Sequence, residues 1–368
     1  MRVGLGSRGA PGSPAHPGRG VARAYTASMA DGGDSLTGDL VDWIEIPSVT
    51  GAEGDYGDAL GRSLEAAGFS VERQVVQPGR FNLLARAGVP RLVFCTHLDT
   101  VPPFFGSRVD ADFIHGRGSC DAKGQAAVML EAGRRLLAAG EERIGFLFTV
   151  GEEVDSIGAA HANAELADPW EPRWVVIGEP TDGRFVRAHK GIYAATLRAR
   201  GVAGHSSQDC GPSAVHELVR CTHGLLGEAW GEHPVFGRGS LNLGEIEGGL
   251  APNVVAAEAS ARLLVRAVEE PERITERIGR HLGEHVTLDA GGYACYAPVE
   301  FHVPARSEGD VVAFGTDAPH LPRWGTPLLF GPGSIRDAHT DHERVSRREL
   351  RRGVEEHVRL ARELLADG

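Results

Sequence analysis

The chain has 368 residues, of which 42% are hydrophobic and 24% are charged, so it is long enough to fold into two globular domains. Its formal net charge of −12 argues against binding to nucleic acid or to an anionic membrane surface, because both require clustered Lys and Arg. The sequence has no apolar run of about 18 residues and no CxxC pair among its five cysteines. These features predict a cytoplasmic protein that acts on a small molecule.

Residues 1–28 are interpreted as an extension outside the folded domains. They contain four arginines, no acidic residue and many Gly and Pro, but no apolar segment of the kind found in secretory signals. After Met29, acidic residues and a helical pattern begin. The segment is therefore a disordered arm, a targeting peptide or the result of a wrongly assigned start codon.

Strand-like and helix-like stretches alternate after this extension. Apolar residues with a period of 3.6 predict helices over 36–46 and 55–67, and an Ala- and Leu-rich stretch predicts another over 121–139. Short apolar runs bounded by polar or Gly residues predict four buried parallel strands, at 92–95, 144–150, 174–177 and 327–330. Such alternation is typical of an α/β domain.

A different pattern extends from residue 187 to residue 295. Stretches of alternating apolar and polar residues are combined with predicted helices over 212–230 and 270–282. This combination indicates a separate α+β domain. We therefore predict a catalytic domain built from residues 36–186 and 296–368, with the second domain inserted between its two parts.

Histidines and acidic residues follow the predicted strands or stand at the start of a predicted helix. They are His97 with Asp99, Asp121, the pair Glu152 and Glu153, Glu179, and His339. Taken singly, each motif is also explained by a solvated loop or a helix terminus. In an open α/β sheet, however, ligands collect at the carboxyl ends of the strands, so these residues are expected to converge.

The residue types in this set indicate a metal site. Two histidines and three carboxylates, with no thiolate, suit zinc or cobalt in a hydrolytic centre. The adjacent carboxylates of Glu152 and Glu153 repel each other unless a cation lies between them. Asp99 is spaced to accept the second ring N–H of His97, as carboxylates do for metal-bound histidines. Cys120 is interpreted as a packed residue and not as a ligand.

In their order along the chain, these motifs resemble the M20 metallopeptidase family. The matching segments are His97-Leu98-Asp99, Asp121-Ala122-Lys123-Gly124, Gly151-Glu152-Glu153, Gly178-Glu179-Pro180-Thr181 and Ala338-His339. The family includes acetylornithine deacetylase, succinyl-diaminopimelate desuccinylase, aminoacylases and dipeptidases. The resemblance implies a zinc-exopeptidase-like catalytic domain with a mostly parallel central sheet, and an inserted α+β domain that serves as lid and dimerisation domain.

The resemblance also implies how two zinc ions, or alternatively cobalt ions, would be held. Asp121 would bridge the two ions. His97 and Glu179 would complete the first site, and Glu153 and His339 the second.

Catalytic roles follow from the same resemblance. Glu152 would act as the general base toward the attacking water, and Asp99 would orient His97. His205 would stabilise the oxyanion of the tetrahedral intermediate, often from a partner subunit, which implies a homodimer through the inserted domain.

Three further residues are implied to contact the substrate. Asn253 and Arg266 would hold its carboxylate, because Arg binds carboxylates bidentately. The alternative for Arg266 is a solvated charge on a strand. Gly333, in a Gly-Pro-Gly turn, would bring backbone N–H groups close to the substrate.

The leading hypothesis is hydrolysis of N-acetylornithine, or of a close N-acyl amino acid, in arginine biosynthesis. The segments FGTDAPHL and LLFGPGSIRDAHTDHE resemble the deacetylase branch, whereas the short loop after HLDTVPP departs from it. The alternatives within the family are a desuccinylase, a hydrolase of carrier-linked lysine and a dipeptidase. A metal-binding protein without catalysis is the remaining alternative, and loss of a ligand or of Glu152 would indicate it.

Overall fold

The computed structural model describes residues 35–366, apart from the side chains of residues 291–294. The predicted extension at residues 1–28 lies outside the described residues. The α-helices within the described part are Ser35–Ile44 (α1), Gly54–Ala66 (α2), Lys123–Ala138 (α3), Ile157–Ala164 (α4), Ala214–Leu226 (α5), Pro271–Gly279 (α6) and Arg347–Ala366 (α7). None of these helices combines the length and the apolar character that a membrane span requires.

Twenty strands are formed within the same part of the chain. They are Ser70–Gln77 (β1), Arg80–Arg86 (β2), Leu92–His97 (β3), Arg108–Val109 (β4), Phe113–His115 (β5), Ile144–Thr149 (β6), Trp174–Ile177 (β7), Val186–His189 (β8), Gly191–Arg200 (β9), Gly204–His205 (β10), Glu232–His233 (β11), Gly237–Arg238 (β12), Ser240–Gly248 (β13), Val254–Val255 (β14), Glu258–Ala267 (β15), Val286–Tyr296 (β16), Val299–Glu300 (β17), Asp310–Val312 (β18), Thr326–Leu329 (β19) and Arg344–Ser346 (β20).

A nine-stranded sheet forms the centre of the molecule, in the order β1-β2-β6-β3-β7-β19-β8-β17, with β18 paired to β8. Its four central strands, β6, β3, β7 and β19, are parallel, and the strands that flank them are antiparallel. These four are the strands that the sequence predicted, and each observed boundary lies within two residues of the predicted one. The prediction of an α/β fold with a mostly parallel central sheet is therefore confirmed.

Both faces of this sheet are covered. On β3, Leu92 and Phe94 point to the core shared with α1, α2, α3 and α7, whereas Val93 and Cys95 point to the core shared with α4. A strand buried on both faces reads as one continuous apolar run, which explains why the periodicity of β3 could not be seen in the sequence. Each of these buried side chains contributes about 1.5–3 kcal/mol.

A smaller antiparallel sheet, in the order β13-β15-β9-β16, is formed by the middle of the chain. Along β9, Tyr193 and Leu197 pack against the core formed with α5 and α6, while Ile192 and Ala194 lie on the opposite face. The predicted boundary between residues 186 and 187 falls inside β8, which belongs to the large sheet. Only one residue separates β8 from β9, so no turn in the sequence marks the change of sheet.

Candidate active site

The predicted metal ligands meet at the carboxyl ends of the four parallel strands. His97 is the last residue of β3, Glu153 follows β6, Glu179 follows β7, and His339 lies in the loop after β19. Asp121 stands two residues before α3, the helix that connects β3 to β6. The topology of a single sheet therefore brings five separate segments to one edge, as the strand-end argument predicts.

The distances between these groups are short. Nε2 of His97 lies 3.0 Å from Oδ1 of Asp121 and 4.0 Å from Glu179. On the other side, Nε2 of His339 lies 3.3 Å from Oδ2 of Asp121 and 3.0 Å from the Glu153 carboxylate. The ligand atoms of His97, Asp121 and Glu153 all lie within 4.8 Å of one another. The two oxygens of Asp121 thus face two different histidines.

Asp99 supports this cluster with its main chain and its carboxylate. Nδ1 of His97 donates to the backbone carbonyl oxygen of Asp99 at 2.9 Å, and the Asp99 carboxylate lies 3.5 Å from the same nitrogen. The carboxylate also accepts the backbone N–H groups of Gly151, Glu152 and Glu153 at 3.1–3.2 Å. Both acceptors of Asp99 thus face Nδ1, and the predicted role of Asp99 in orienting His97 stays a prediction. With its proton on Nδ1, His97 presents Nε2 as a ligand atom.

Glu343 holds the segment before α3. It is fully buried, and its Oε1 accepts the backbone N–H groups of Cys120 and Asp121, each at 3.0 Å. Its Oε2 pairs at 2.6 Å with Arg117, which is also buried. Arg117 donates further to the carbonyl oxygen of Pro103. Sequence reasoning missed this pair, although the acid follows His339 by only four residues.

The electrostatics of the cluster reflect an excess of negative charge. Burial, reinforced by Glu179, raises the pKa of Glu152 well above its ordinary value. Burial and Asp121 likewise raise the pKa values of Glu153 and Glu179. Burial disfavours ionisation of Asp121 as well, but its hydrogen bonds with His339 and His97 outweigh this effect and lower its pKa.

These observations fit a site for divalent cations. Four carboxylates at a buried position cannot all ionise unless positive charge compensates them. Carboxylate oxygens and imidazole nitrogens are the donors that zinc accepts in hydrolytic sites. The residues present thus match the group that the sequence motifs imply.

The cluster opens into a cavity of about 360 Å³, and the small sheet forms its opposite wall. Arg266 of β15 and Ile192 of β9 face the cavity together with Tyr296, the last residue of β16. Arg266 is the one Lys or Arg among the described residues that line the cavity, and no described carboxylate pairs with it. The predicted contact of Arg266 with a substrate carboxylate is thus compatible with its position and stays a prediction.

Three other predicted residues lie elsewhere. His205, the last residue of β10, and Asn253, the residue before β14, are exposed and adjacent beside the two-stranded sheet that these strands form, where Ser206 donates its N–H to the carbonyl oxygen of Asn253. Gly333 is buried, and its carbonyl oxygen accepts the N–H of Asp182 at 2.7 Å. Among the described residues that line the cavity, these three are absent. Their roles in catalysis stay predictions.

The positive φ of Gly333, 84°, explains the glycine at this position on structural grounds. A Cβ there would lie 2.6 Å from Sγ of Cys120. The glycine is thus required by the close approach of the turn to the segment that carries Asp121, which also confirms that Cys120 is a packed residue.

The chain matches the description "Peptidase family M20/M25/M40" over residues 93–363. It is 35% identical to a peptidase M20 domain-containing protein of Schizosaccharomyces pombe, with 90% of this chain and 86% of that protein covered. It is 34% identical to a protein of Aspergillus terreus named a probable carboxypeptidase, with 87% and 84% covered.

Solved structures share the fold at lower identity. A tripeptidase from Staphylococcus aureus has a TM-score of 0.75 at 21% identity and covers 89% of this chain and 97% of its own. An M20 metallo-carboxypeptidase from Sulfolobus solfataricus has a TM-score of 0.73 at 16% identity, with 89% and 98% covered. The predicted M20 resemblance is confirmed, and the finer assignment to the deacetylase branch is not reached by these relatives. The chain belongs to peptidase family M20 and is a hydrolase of that family.

Proposed function

We propose that this hydrolase uses two divalent cations to cleave the amide bond of an N-acyl amino acid, acyl–NH–CHR–COO⁻. The observation that carries the proposal is the position of Asp121, whose two oxygens face His97 on one side and His339 on the other. A carboxylate placed in this way can bridge two cations about 3.5–4 Å apart. Zinc suits the donor set, and cobalt is the alternative.

The residues of the cavity divide the chemistry between them. When bound, the cations would polarise the scissile carbonyl and lower the pKa of the attacking water. Glu152 lines the cavity beside the ligands and would accept a proton from that water and deliver it to the leaving amine. Arg266, on the opposite wall, would hold the carboxylate of the substrate.

Two substrate classes contain the proposed unit, an amide next to a free carboxylate. N-acetylornithine, the substrate that the sequence favours, carries its free carboxylate on the amino acid released by cleavage. The C-terminal residue of a small peptide has the same arrangement, and this class agrees with the names of the carboxypeptidase relatives. Asp155 also lines the cavity and could accept the cationic side chain of ornithine, which supports the deacetylase as the finer proposal.

A substrate panel tests the proposal. Zinc- and cobalt-loaded enzyme is offered N-acetylornithine, N-acetylcitrulline, N-succinyl-diaminopimelate and dipeptides, with and without a free C-terminal carboxylate, and release of free amine is measured. We expect turnover only of amides next to a free carboxylate, with N-acetylornithine first. Preference for a dipeptide would change the assigned substrate class but not the proposed mechanism. Failure to cleave any amide would overturn the proposal.

We further propose the homodimer that the family resemblance implies. His205 and Asn253 are exposed, so a second copy of the chain can approach them. Light scattering at several protein concentrations tests this, since a mass of one chain at all of them would contradict it.

A further inference from the structure

The wall opposite the metal ligands is formed by one face of the small sheet. Arg266 pairs with Ile192 across β15 and β9, and Ile192 pairs with Tyr296 across β9 and β16. Residues that lie directly opposite each other in antiparallel strands point to the same face. All three line the cavity, so this row presents a guanidinium at one end and a phenol at the other, with an apolar side chain between them.

A glycine creates the space in which the phenol of Tyr296 lies. A Cβ on Gly315 would stand 1.8 Å from the Tyr296 hydroxyl, a distance at which the two cannot coexist. Gly315 lines the same cavity. The Tyr296 ring packs against His320 in a T-shaped arrangement, with 5.4 Å between the ring centroids. The ring is thus held from two sides while the hydroxyl stays at the cavity wall.

The Tyr296 hydroxyl has no hydrogen-bond partner among the described residues. Burial, reinforced by the nearby Glu152 carboxylate, raises the pKa of Tyr296, so the phenol keeps its proton at neutral pH. A half-buried phenol that has no partner of its own and lies near Glu152 is a hydrogen-bond donor available to whatever occupies the cavity.

We propose that Tyr296 is a further catalytic residue, whose hydroxyl donates a hydrogen bond to the oxygen of the scissile carbonyl as that oxygen gains negative charge. The inference rests on the proposed function, because it requires an amide substrate between the two walls. The phenol gives up no proton. The oxygen of water bonds to the carbonyl carbon, the C–N bond breaks, and Glu152 carries the proton from the water to the amine.

The spacing along this row explains why the Tyr296 hydroxyl is assigned to the scissile carbonyl of the substrate and not to its carboxylate. Arg266 and Tyr296 lie two strands apart, which separates their backbones by roughly 10 Å. Their long side chains reach toward the same cavity from the two ends of the row. In the proposed substrate, three covalent bonds separate the carbonyl carbon from the carboxylate carbon. Arg266 can therefore hold the carboxylate while Tyr296, whose pKa is raised by burial and by the Glu152 carboxylate, reaches the carbonyl oxygen.

With Tyr296 in this role, a hydrogen-bond donor to the oxyanion comes from the same chain as the metal ligands. The sequence motifs assigned oxyanion stabilisation to His205, which is exposed at the end of β10 and is absent from the described residues around the cavity. Preorganised donors of this kind stabilise the transition state more than the ground state. Loss of the hydroxyl should therefore reduce kcat and leave KM nearly unchanged.

Tyr296→Phe in the full-length, zinc-loaded enzyme tests the proposal with the best substrate of the panel. We expect kcat to fall by about 10²-fold, the effect of removing one oxyanion donor, with KM within about threefold. A phosphinic analogue of the substrate, which has a tetrahedral centre, should lose affinity by the same factor as kcat/KM in calorimetry. Binding of the free amino acid product should not change.

Gly315→Ala provides a second, independent variant, because its methyl group displaces the hydroxyl without removing it. It should reproduce the loss in kcat, and the double variant should be no slower than the slower single variant. Tyr193→Phe is the matched control, since its hydroxyl bonds to Thr275 at 2.8 Å on the other face of the same sheet. Its kcat should stay within about twofold of the wild type.

The outcomes separate this inference from the proposed function. A wild-type enzyme that cleaves no amide refutes the function, and the inference fails with it. A wild-type enzyme that cleaves the panel, together with a Tyr296→Phe variant of unchanged kcat, overturns the inference alone. An increase in KM without loss of kcat also overturns it, because the phenol would then bind the ground state. If Tyr296→Phe weakens the binding of the product and of the phosphinic analogue equally, the inference is overturned as well.

Discussion

Two regions that the sequence motifs single out behave differently in the structure. His97, Asp121, Glu153 and His339 are linked by contacts of 3.0–3.3 Å, and Glu179 lies 4.0 Å from His97, whereas His205 and Asn253 are exposed and lie away from the cavity. The first group is positioned by the hydrogen-bond ladder of a single sheet. The second lies beside the separate two-stranded sheet formed by β10 and β14. Convergence within one sheet can be predicted from local sequence, but proximity between sheets cannot.

The strand-end cluster is also reinforced by buried polar groups. Asp99 ties the loop after β6 to the end of β3 through three backbone N–H groups. Glu343 ties the segment before α3 to the chain that follows His339. By contrast, the exposed ring of His205 hydrogen-bonds to its neighbour Ser207, at 2.8 Å. We expect substitutions in the first region to have much larger effects.

The largest effect is expected at Glu152. Glu152→Gln preserves the shape of the side chain but removes the general base, so kcat should fall by about 10²–10⁴-fold. Because Glu152 is not among the proposed ligands, zinc affinity in calorimetry and the midpoint of thermal unfolding should stay close to the wild type. A variant that keeps wild-type kcat would show that another group moves the proton.

Glu343→Gln should have the next largest effect, on stability and on metal binding. Arg117 would keep its buried charge without an anionic partner, and breaking such a pair costs about 3–5 kcal/mol of unfolding free energy. Zinc affinity should fall about 10–100-fold, because Gln has one acceptor oxygen in place of two and cannot serve both Arg117 and the backbone N–H that holds Asp121. Urea denaturation and calorimetry measure the two effects.

The matched control for that substitution is an exposed ion pair. Glu245 and Arg262 lie 3.3 Å apart on the surface of the small sheet, and both side chains are more than half exposed. Glu245→Gln should therefore change stability by less than about 1 kcal/mol. Equal losses in the two variants would contradict the special contribution of the buried pair.

The sequence predicts one side of the active site better than the other. His97, Glu153 and Glu179 were identifiable because each follows an apolar run long enough to be recognised as a buried strand. Tyr296 lies in no motif, and its position depends on antiparallel pairing with Ile192, about a hundred residues earlier in the chain. That pairing follows a register shift between Ala290 and Cys295, which no local sequence pattern predicts. Only the alternation of apolar and polar residues along β9, which puts Ile192 and Tyr193 on opposite faces, indicated that one face of the small sheet lines a site.

A smaller effect concerns the core behind the ligands, where His357 packs against Phe94 of β3 and against Phe330, the residue after β19. Burial lowers the pKa of His357 from 6.5 to about 4. The unfolded chain therefore binds a proton that the folded chain excludes between these two values. Stability is lost as the pH falls from about 6.5 to about 4, by up to about 1.4 kcal/mol per pH unit for this one group.

His357→Leu should make the decline of stability in this window shallower than in the wild type. Urea denaturation at several pH values, in the presence of a chelator in all samples, measures the slope. The variant loses the hydrogen bond from Nδ1 to the carbonyl oxygen of Gly353, so its stability at neutral pH should be lower by about 1 kcal/mol. The exposed His216→Leu variant is the control. Identical slopes for wild type and His357→Leu would refute the prediction.

The smallest effect is expected at the exposed His205, where the comparison is most easily broken. If Tyr296 supplies the oxyanion donor, His205→Ala should lower kcat by less than about tenfold, far less than Tyr296→Phe. The assay is repeated across a dilution series that dissociates any dimer. A loss of about 10²-fold, seen only at concentrations where the wild type is dimeric, would show that a second copy delivers His205 to the cavity. In that case the separation of His205 from the cluster would describe a single chain, and dimerisation would complete the site.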